Sequence, residues 1–152
     1  VSLKMVDVTG VDKNNHAHVL DTGSPHYVAF IDDVSSVQVN IEGRRLRNLQ
    51  EFKKEGINVN FVEIGKKQQI TVRTYERGVE AETLSCGTGV VAAAIAFAEK
   101  KQLLAGKHQV AIQTLGGNLE VSFEKKDAGY HNVWLTGPAA YVFNGVVELS
   151  DF

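Results

Sequence analysis

Thr83-Leu84-Ser85-Cys86-Gly87-Thr88-Gly89, running straight into Val90-Val91-Ala92-Ala93-Ala94-Ile95-Ala96-Phe97-Ala98, decides how this chain folds. The run from Val90 to Ala98 is apolar on every face, so a helix built from it has to be buried all round. Small residues dominate it, which lets sheet pack close. The chain's one cysteine sits at the mouth of that helix, where the first N–H groups lack intrahelical partners and the macrodipole is positive. A thiol placed there has a reason to ionise, and the same N–H groups would grip a carboxylate. Gly87 and Gly89 carry no Cβ, so a ligand can come right up to that backbone. A nucleophile or base beside an anion cradle is a catalytic arrangement. The competing reading is a buried structural cysteine.

Composition sets the bounds around that stretch. A chain of 152 residues suits one domain, or half of a two-domain enzyme, with enough core to fold. Apolar content of 43% and charged content of 22% describe an ordinary soluble globule. A net charge of −2 argues against nucleic acid or a membrane as the main partner. One cysteine excludes an internal disulfide and fits a reducing compartment, hence a cytoplasmic protein. The longest apolar run is too short to span a bilayer. Val1-Ser2-Leu3-Lys4-Met5 lacks the build of a signal peptide and reads as the middle of a strand, a first hint of a fragment.

Along the chain, Val1 to Val8 alternates as a half-buried strand does. Ala17 to Asp21 and His26 to Ile31 read as strands separated by Thr22-Gly23-Ser24-Pro25, where Pro25 fixes its own φ and holds Ser24 extended. Val37 to Ile41 reads as extended and Gly43 to Lys54 as a helix. The basic residues of that helix (Arg44, Arg45, Arg47, Lys53, Lys54) read as a solvated face rather than an anion site, because Glu42, Glu51 and Glu55 are interleaved. Ile57 to Ile64 alternates cleanly, with Asn58 and Asn60 on one face and Val59 and Phe61 on the other, so the asparagine face should meet water or ligand. Gln69 to Glu76 is a further strand. His108 to Leu115 and Leu119 to Glu124 form a hairpin about Gly116-Gly117, Asp127 to Asn132 a loop, and Val133 to Thr136 a strand. Ala139 to Leu149 reads as a last strand. The sum is an α+β layout, a mostly antiparallel sheet wrapped around one central buried helix.

The residues fitted for chemistry are Cys86, His26, Glu76, Arg77, Asn58 and the Gly87-Thr88-Gly89 backbone. Cysteine with histidine suits nucleophilic or proton-transfer work, and arginine can bind a substrate carboxylate bidentately. Glu76-Arg77 could equally be a salt bridge at a strand end, worth little if exposed. His16 and His18 share a strand face but lack a third ligand at suitable spacing, so no metal site is expected. Trp134 reads as a core residue, and His108 and His131 as surface residues near turns.

Tyr75-Glu76-Arg77-Gly78, followed by Glu82-Thr83-Leu84-Ser85-Cys86-Gly87-Thr88-Gly89, resembles the second-half signature of diaminopimelate epimerase. Asp21-Thr22-Gly23-Ser24-Pro25-His26, Asn58-Val59-Asn60-Phe61-Val62-Glu63, Gly116-Gly117-Asn118-Leu119 and Leu135-Thr136-Gly137-Pro138-Ala139 agree, in the family's order and across nearly the whole chain. A lone CGTG would be weak; five ordered motifs are specific. The resemblance implies a cofactor-free epimerase that interconverts LL- and meso-diaminopimelate on the route to lysine and peptidoglycan. In that family two cysteines face the α-carbon from opposite sides, one removing a proton as thiolate and the other returning one from its thiol. Cys86 matches the second. By the same likeness, His26 and Glu76 would assist proton movement, and Asn58 and Arg77 would hold the distal amino-acid end of the substrate. Glu76 and Ser24 would contribute substrate contacts, and the backbone N–H groups of Gly87 and Thr88 would bind the α-carboxylate. Holding that carboxylate in a field of dipoles offsets the charge that grows as the α-proton leaves.

Three departures stand out. The family usually has asparagine at the position of Ser24. The Val79-Glu80-Ala81 segment is a residue longer than the shorter family version. The other catalytic cysteine, with the first-half substrate residues, is absent. The family chain is about twice this length, two similar lobes with the site in the cleft between them, so residues 1–152 resemble the C-terminal lobe alone. Such a lobe is expected to be inactive by itself, to lack its N-terminal partner lobe, and to bare strand edges at Val1–Val8 and Ala139–Leu149 through which chains could pair as a homodimer. The alternatives are another cofactor-independent racemase on the same scaffold, such as the proline-racemase relatives, or a non-catalytic amino-acid-binding module.

Overall fold

The computed structural model describes residues 1–13 and 17–147. Four strands come first, β1 (Ser2–Lys4), β2 (Asp12–Lys13), β3 (His18–Asp21) and β4 (Pro25–Phe30), followed by a 3-10 turn at Val34–Ser36 and helix α1 (Val39–Arg47). Strands β5 (Asn58–Ile64), β6 (Gln69–Glu76) and β7 (Ala81–Thr83) lead into helix α2 (Gly87–Lys100). The hairpin β8 (Gly106–Thr114) and β9 (Gly117–Lys126) and the strand β10 (Gly129–Thr136) complete the fold. Among the described residues the strands form a single sheet in the order β1-β10-β9-β8-β6-β5-β4-β3-β2, with β7 paired to β6 off that path.

Two pairings, β4 with β5 and β6 with β8, are parallel, and each is bridged by a helix. Both crossovers step the same way across the sheet, yet β5 and β6 run antiparallel. Right-handed crossovers from strands of opposite direction must place their helices on opposite faces. The core is divided accordingly. Val39 and Leu46 of α1 pack with Val59, Phe61, Tyr27 and Tyr75, while α2 packs with Val28, Val62, Ile70, Val72, Val110, Ile112, Val121 and Val133. Every residue from Gly89 to Ala98 is buried, as the all-apolar run requires. Seven neighbouring strands, β10 round to β3, touch α2. Laid flat they would span about 29 Å at the usual strand spacing, far wider than a helix, so the sheet curls around α2. The α+β layout read from the sequence is thus what forms, with a second helix on the outer face.

Some sequence boundaries move. The extended reading of Val37 to Ile41 is wrong, and α1 spans Val39–Arg47 rather than Gly43 to Lys54, with residues 48–54 in turns. Val39, Gly43 and Leu46 are its buried positions, a helical spacing that overrides the short alternation. Gly43 is therefore a contact and not a helix start: a Cβ there would overlap Cβ and Cγ of the fully buried Tyr75. Arg44 and Arg45 are solvent-facing, and Arg45 pairs with Glu42 at 2.9 Å, as expected of a solvated face. Val1 to Val8 is a strand only at Ser2–Lys4, with an isolated bridge from Val8 to Tyr130. The ladder breaks where β10 bulges between His131 and Trp134, and Asp7 takes the freed Asn132 N–H at 3.0 Å and meets the His131 ring at 2.9 Å.

Strand β10 starts at Gly129, inside the expected loop. Trp134 lies 38% exposed beside the Lys4 ammonium rather than in the core. The expected last strand is not formed over Ala139–Val147; Pro138 removes a donor and the segment leaves the sheet, with Tyr141, Val142, Phe143, Val146 and Val147 exposed. Glu148 and Leu149 lie outside the described residues. No described helix is long and apolar enough to cross a membrane.

Replacing Gly43 by alanine gains roughly 1 kcal/mol of helix propensity. It also drives a methyl into the Tyr75 stem, which sits beside its own backbone and cannot swing away. Gly43→Ala should therefore destabilise the fold by about 2 kcal/mol net, read as a lower urea midpoint in equilibrium unfolding.

Candidate active site at the mouth of α2

Alternation along β5 sends Asn58, Asn60 and Val62 towards α2 and Val59 and Phe61 towards α1. Parallel register sets His26 of β4 beside Asn58, and antiparallel register sets Thr74 of β6 opposite Asn60. His26, Asn58, Asn60 and Thr74 are all buried, so this end of the sheet is a polar floor beneath the first turn of α2. Gly89 makes the approach possible, since a Cβ there would stand 2.5 Å from Asn60 Oδ1 and 3.3 Å from Cys86 Sγ.

The floor is bonded throughout. Asn60 Oδ1 accepts from the Thr74 hydroxyl at 3.0 Å, and its Nδ2 lies 3.3 Å from the Tyr27 carbonyl and 3.1 Å from His26 Nδ1. His26 Nε2 lies 3.0 Å from both Ser24 Oγ and Thr88 Oγ1, which are 3.1 Å apart. Thr88 Oγ1 is 3.5 Å from Cys86 Sγ. Asn58 Nδ2 donates to the Pro25 carbonyl at 3.1 Å and to Ser24 Oγ at 3.3 Å, while Asn58 Oδ1 accepts the Arg77 N–H at 2.9 Å. The expected asparagine face is therefore paired with protein rather than open to water.

Cys86 is the N-cap residue of α2, in extended conformation, and its side chain makes no capping bond. Cys86 is 8% exposed, but Ser85 and Gly87 on either side are exposed, so the helix mouth opens to solvent with its first amides uncapped by that side chain. A cavity of about 480 Å³ lies at the far end of α2, around Glu99 and Tyr130. The loop before Cys86 is pinned by the β8–β9 turn, where the Gly116 N–H donates to the Leu84 carbonyl at 2.8 Å; a Cβ on Gly116 would lie 3.2 Å from that oxygen. From the other side, the Thr22 hydroxyl donates to the Thr88 carbonyl at 2.9 Å.

The structure thus joins Cys86, Thr88, His26, Ser24, Asn58 and the Arg77 backbone in one contact chain. The Arg77 guanidinium donates to the Glu55 carbonyl at 3.1 Å, and no ion pair with Glu76 occurs among the described residues. Glu76 is half-buried at the end of β6, with no hydrogen bond to His26 or Cys86 among them. The longer 79–81 segment is closed by Glu80, whose carboxylate takes the Gly78 N–H and the Arg47 guanidinium. Thr22, Thr74 and the Thr88 hydroxyl were not singled out from the sequence. Only Asn60, on the face of Asn58, gave any signal. His18 is edge-on to Phe30 at 5.5 Å; His16 lies outside the described residues.

Burial is the main cause that pushes the His26 imidazole down to about 4; Asp21 opposes this and Arg77 adds to it. The ring is neutral at pH 7.

A family model for diaminopimelate epimerase matches residues 18–142. The diaminopimelate epimerase of Flavobacterium psychrophilum is 42% identical over 147 residues, covering 97% of this chain and 57% of that protein. The enzyme of the same name from Aquifex aeolicus is 43% identical over 127 residues, 83% of this chain and 44% of its own length. The chain therefore spans about half the length of these relatives. A solved hydroxyproline epimerase from Agrobacterium vitis shares the fold, with TM-score 0.56 and 16% identity over 89% of this chain and 41% of that one.

The depressed His26 value carries a stability consequence. Between about pH 4 and histidine's usual 6.5 the unfolded chain binds the proton that the folded chain refuses. This contribution is complete above pH 6.5 and is lost as pH falls towards 4, by about 3 kcal/mol over that window. His18 is also depressed by burial, so the measurement is a comparison. The fall in urea midpoint from pH 7 to pH 4.5 should be markedly smaller in His26→Gln than in the parent chain.

Proposed function

The chain belongs to the diaminopimelate epimerase family, and from that premise we propose that it supplies the Cys86 half of a cofactor-independent active site that inverts the α-carbon of diaminopimelate. The observation that carries the reading is the placement of Cys86 at an uncapped helix mouth, tied to His26 through Thr88. The substrate α-carboxylate would sit on the amides of Gly87 and Thr88, where the dipole of α2 stabilises the negative charge that develops as the α-proton leaves. On one face of the carbon a thiolate from the partner lobe takes the α-proton. On the other the Cys86 thiol gives up its own, leaving Cys86 as thiolate, and the reverse reaction exchanges the two roles. Both protons are accounted for, with no redox change and no metal.

Arg77 and Asn58 lie at the other end of the contact chain, suited to the distal amino and carboxylate groups of diaminopimelate. Glu76 beside them would assist proton movement or bind the distal amine. A proline-type substrate has no distal group to use this second polar end, which favours the longer diamino acid over the racemase alternative. The exposed apolar run from Tyr141 to Val147, and the fact that the chain spans 57% of the Flavobacterium relative, support an N-terminal lobe as its partner. With one thiol the chain alone performs no inversion. The thiol has to stay reduced, which fits a cytoplasmic setting.

Mixing this chain with the separately produced N-terminal half of the Flavobacterium psychrophilum enzyme tests the reading. LL-diaminopimelate should be converted to the meso isomer, with deuterium from D2O at the inverted α-carbon, only when both are present, and Cys86→Ala should abolish the inversion. Inversion that survives Cys86→Ala would overturn the role of Cys86, and a formed complex that inverts nothing would overturn the reading in favour of a non-catalytic binding module.

A further inference from the structure

The orientation of the two amides behind Cys86, Asn60 and Asn58, follows from groups that can play only one role. The Tyr27 carbonyl can only accept, so the Asn60 side-chain nitrogen, and not its oxygen, lies against it. The Thr74 hydroxyl on Asn60 Oδ1 completes the same orientation. With that NH2 also 3.1 Å from His26 Nδ1, Nδ1 has to accept; a proton on it would set two donors head to head. We infer that Asn60 fixes the His26 imidazole with its proton on Nε2, so that His26 is a standing hydrogen-bond donor and the Thr88 hydroxyl proton is directed at the Cys86 sulfur.

The remaining protons follow in turn. Asn58 is oriented by the Arg77 N–H, a pure donor, and the Pro25 carbonyl, a pure acceptor, so its NH2 donates to Ser24 Oγ. The one Nε2–H proton of His26 is shared between Ser24 Oγ and Thr88 Oγ1, each 3.0 Å away; Ser24 Oγ also accepts from Asn58 Nδ2, and its own proton goes to Thr88 Oγ1 at 3.1 Å. Thr88 receives from Ser24 and from His26. Its proton has one acceptor left among these neighbours, Cys86 Sγ at 3.5 Å. Two buried amides at the back of the site thus point a chain of donors at the sulfur, where it offsets the negative charge that develops as the thiol gives up its proton.

The expected role of His26 changes accordingly. Its Nε2 already carries a proton and its Nδ1 is blocked by an amide, so the ring cannot take the Cys86 proton, nor give one without becoming an imidazolate. His26, Thr88 and Asn60 are positioning residues, and the sulfur exchanges its proton on its open side. This deepens the proposed function, resting on it only for the choice of Cys86 as the reacting group.

None of the decisive measurements uses diaminopimelate, so they fail or succeed independently of the epimerase reading. Long-range 1H–15N correlation spectra of this chain should show His26 as the neutral Nε2–H form throughout pH 5.5–8.5, Asp21 and Arg77 being the charged groups that bear on it. An Nδ1–H form, or titration near 6.5, overturns the inference. Thr88→Val keeps the shape and loses the hydroxyl. It should slow alkylation of Cys86 by iodoacetamide at pH 7 about tenfold, the loss expected for a hydrogen bond to a charged group, and Thr88→Ser should restore the rate. An unchanged alkylation rate in Thr88→Val refutes the donor chain. Asn60→Asp should move the His26 proton to Nδ1; should that variant fail to fold, the spectrum of the parent chain decides alone.

Discussion

The close approach of α2's first turn to the polar end of the sheet is the constraint on which the rest depends. A helix apolar on all faces has to be wrapped, and wrapping hides everything except its ends. At the C-terminal end the Tyr130 hydroxyl and the Lys13 and Lys125 ammonium groups meet Glu99. At the N-terminal end the sheet turns polar: His26, Asn58, Asn60 and Thr74 take the places that Val28, Val62 and Val72 hold further along the same strands. A methyl group at Gly89 would push the two apart. Glycine at that position does more than admit a ligand; it lets the helix mouth rest on its own support.

Local pattern made much of this legible. The run Val90–Ala98 and the clean alternation of Ile57–Ile64 each admit one reading, and both are where the sequence puts them. Elements that depend on distant partners were harder. β7 is three residues long and exists because β6 offers it an edge. α1 was displaced because Val37 to Ile41 alternates over a stretch too short to outweigh the spacing of Val39, Gly43 and Leu46. The parallel pairings were invisible as well. They arise from two crossovers, and no local period distinguishes a strand with parallel neighbours from one with antiparallel ones at these lengths.

The site divides along the same line. Cys86 with its flanking glycines announces itself, because a thiol before an apolar helix has a chemical meaning that needs no partner. Thr22 and Thr74 carry no such signal. Thr74 matters because antiparallel register places it opposite Asn60, and Thr22 because the β3–β4 turn brings its hydroxyl to the Thr88 carbonyl. The glycine pair at 116–117 was legible as a turn, but its hold on the Leu84 carbonyl is a tertiary fact.

Choice of the N-cap residue ties stability to chemistry. Serine, threonine, aspartate or asparagine at position 86 would cap α2 and stabilise it by about 1 kcal/mol, but would spend an amide of the first turn in doing so. Cysteine, in the extended conformation found here, makes no such bond and leaves those amides without a side-chain cap. The helix start is then held from outside, by the Thr22 hydroxyl on the Thr88 carbonyl and by Gly116 on Leu84. Both clamps use groups on the sheet side, so neither competes for the solvent-facing amides. A first turn held rigid by its surroundings, with its own donors unspent, is what the proposed carboxylate cradle requires; a self-capped helix of the same sequence would be the more stable element and would offer that cradle one amide fewer.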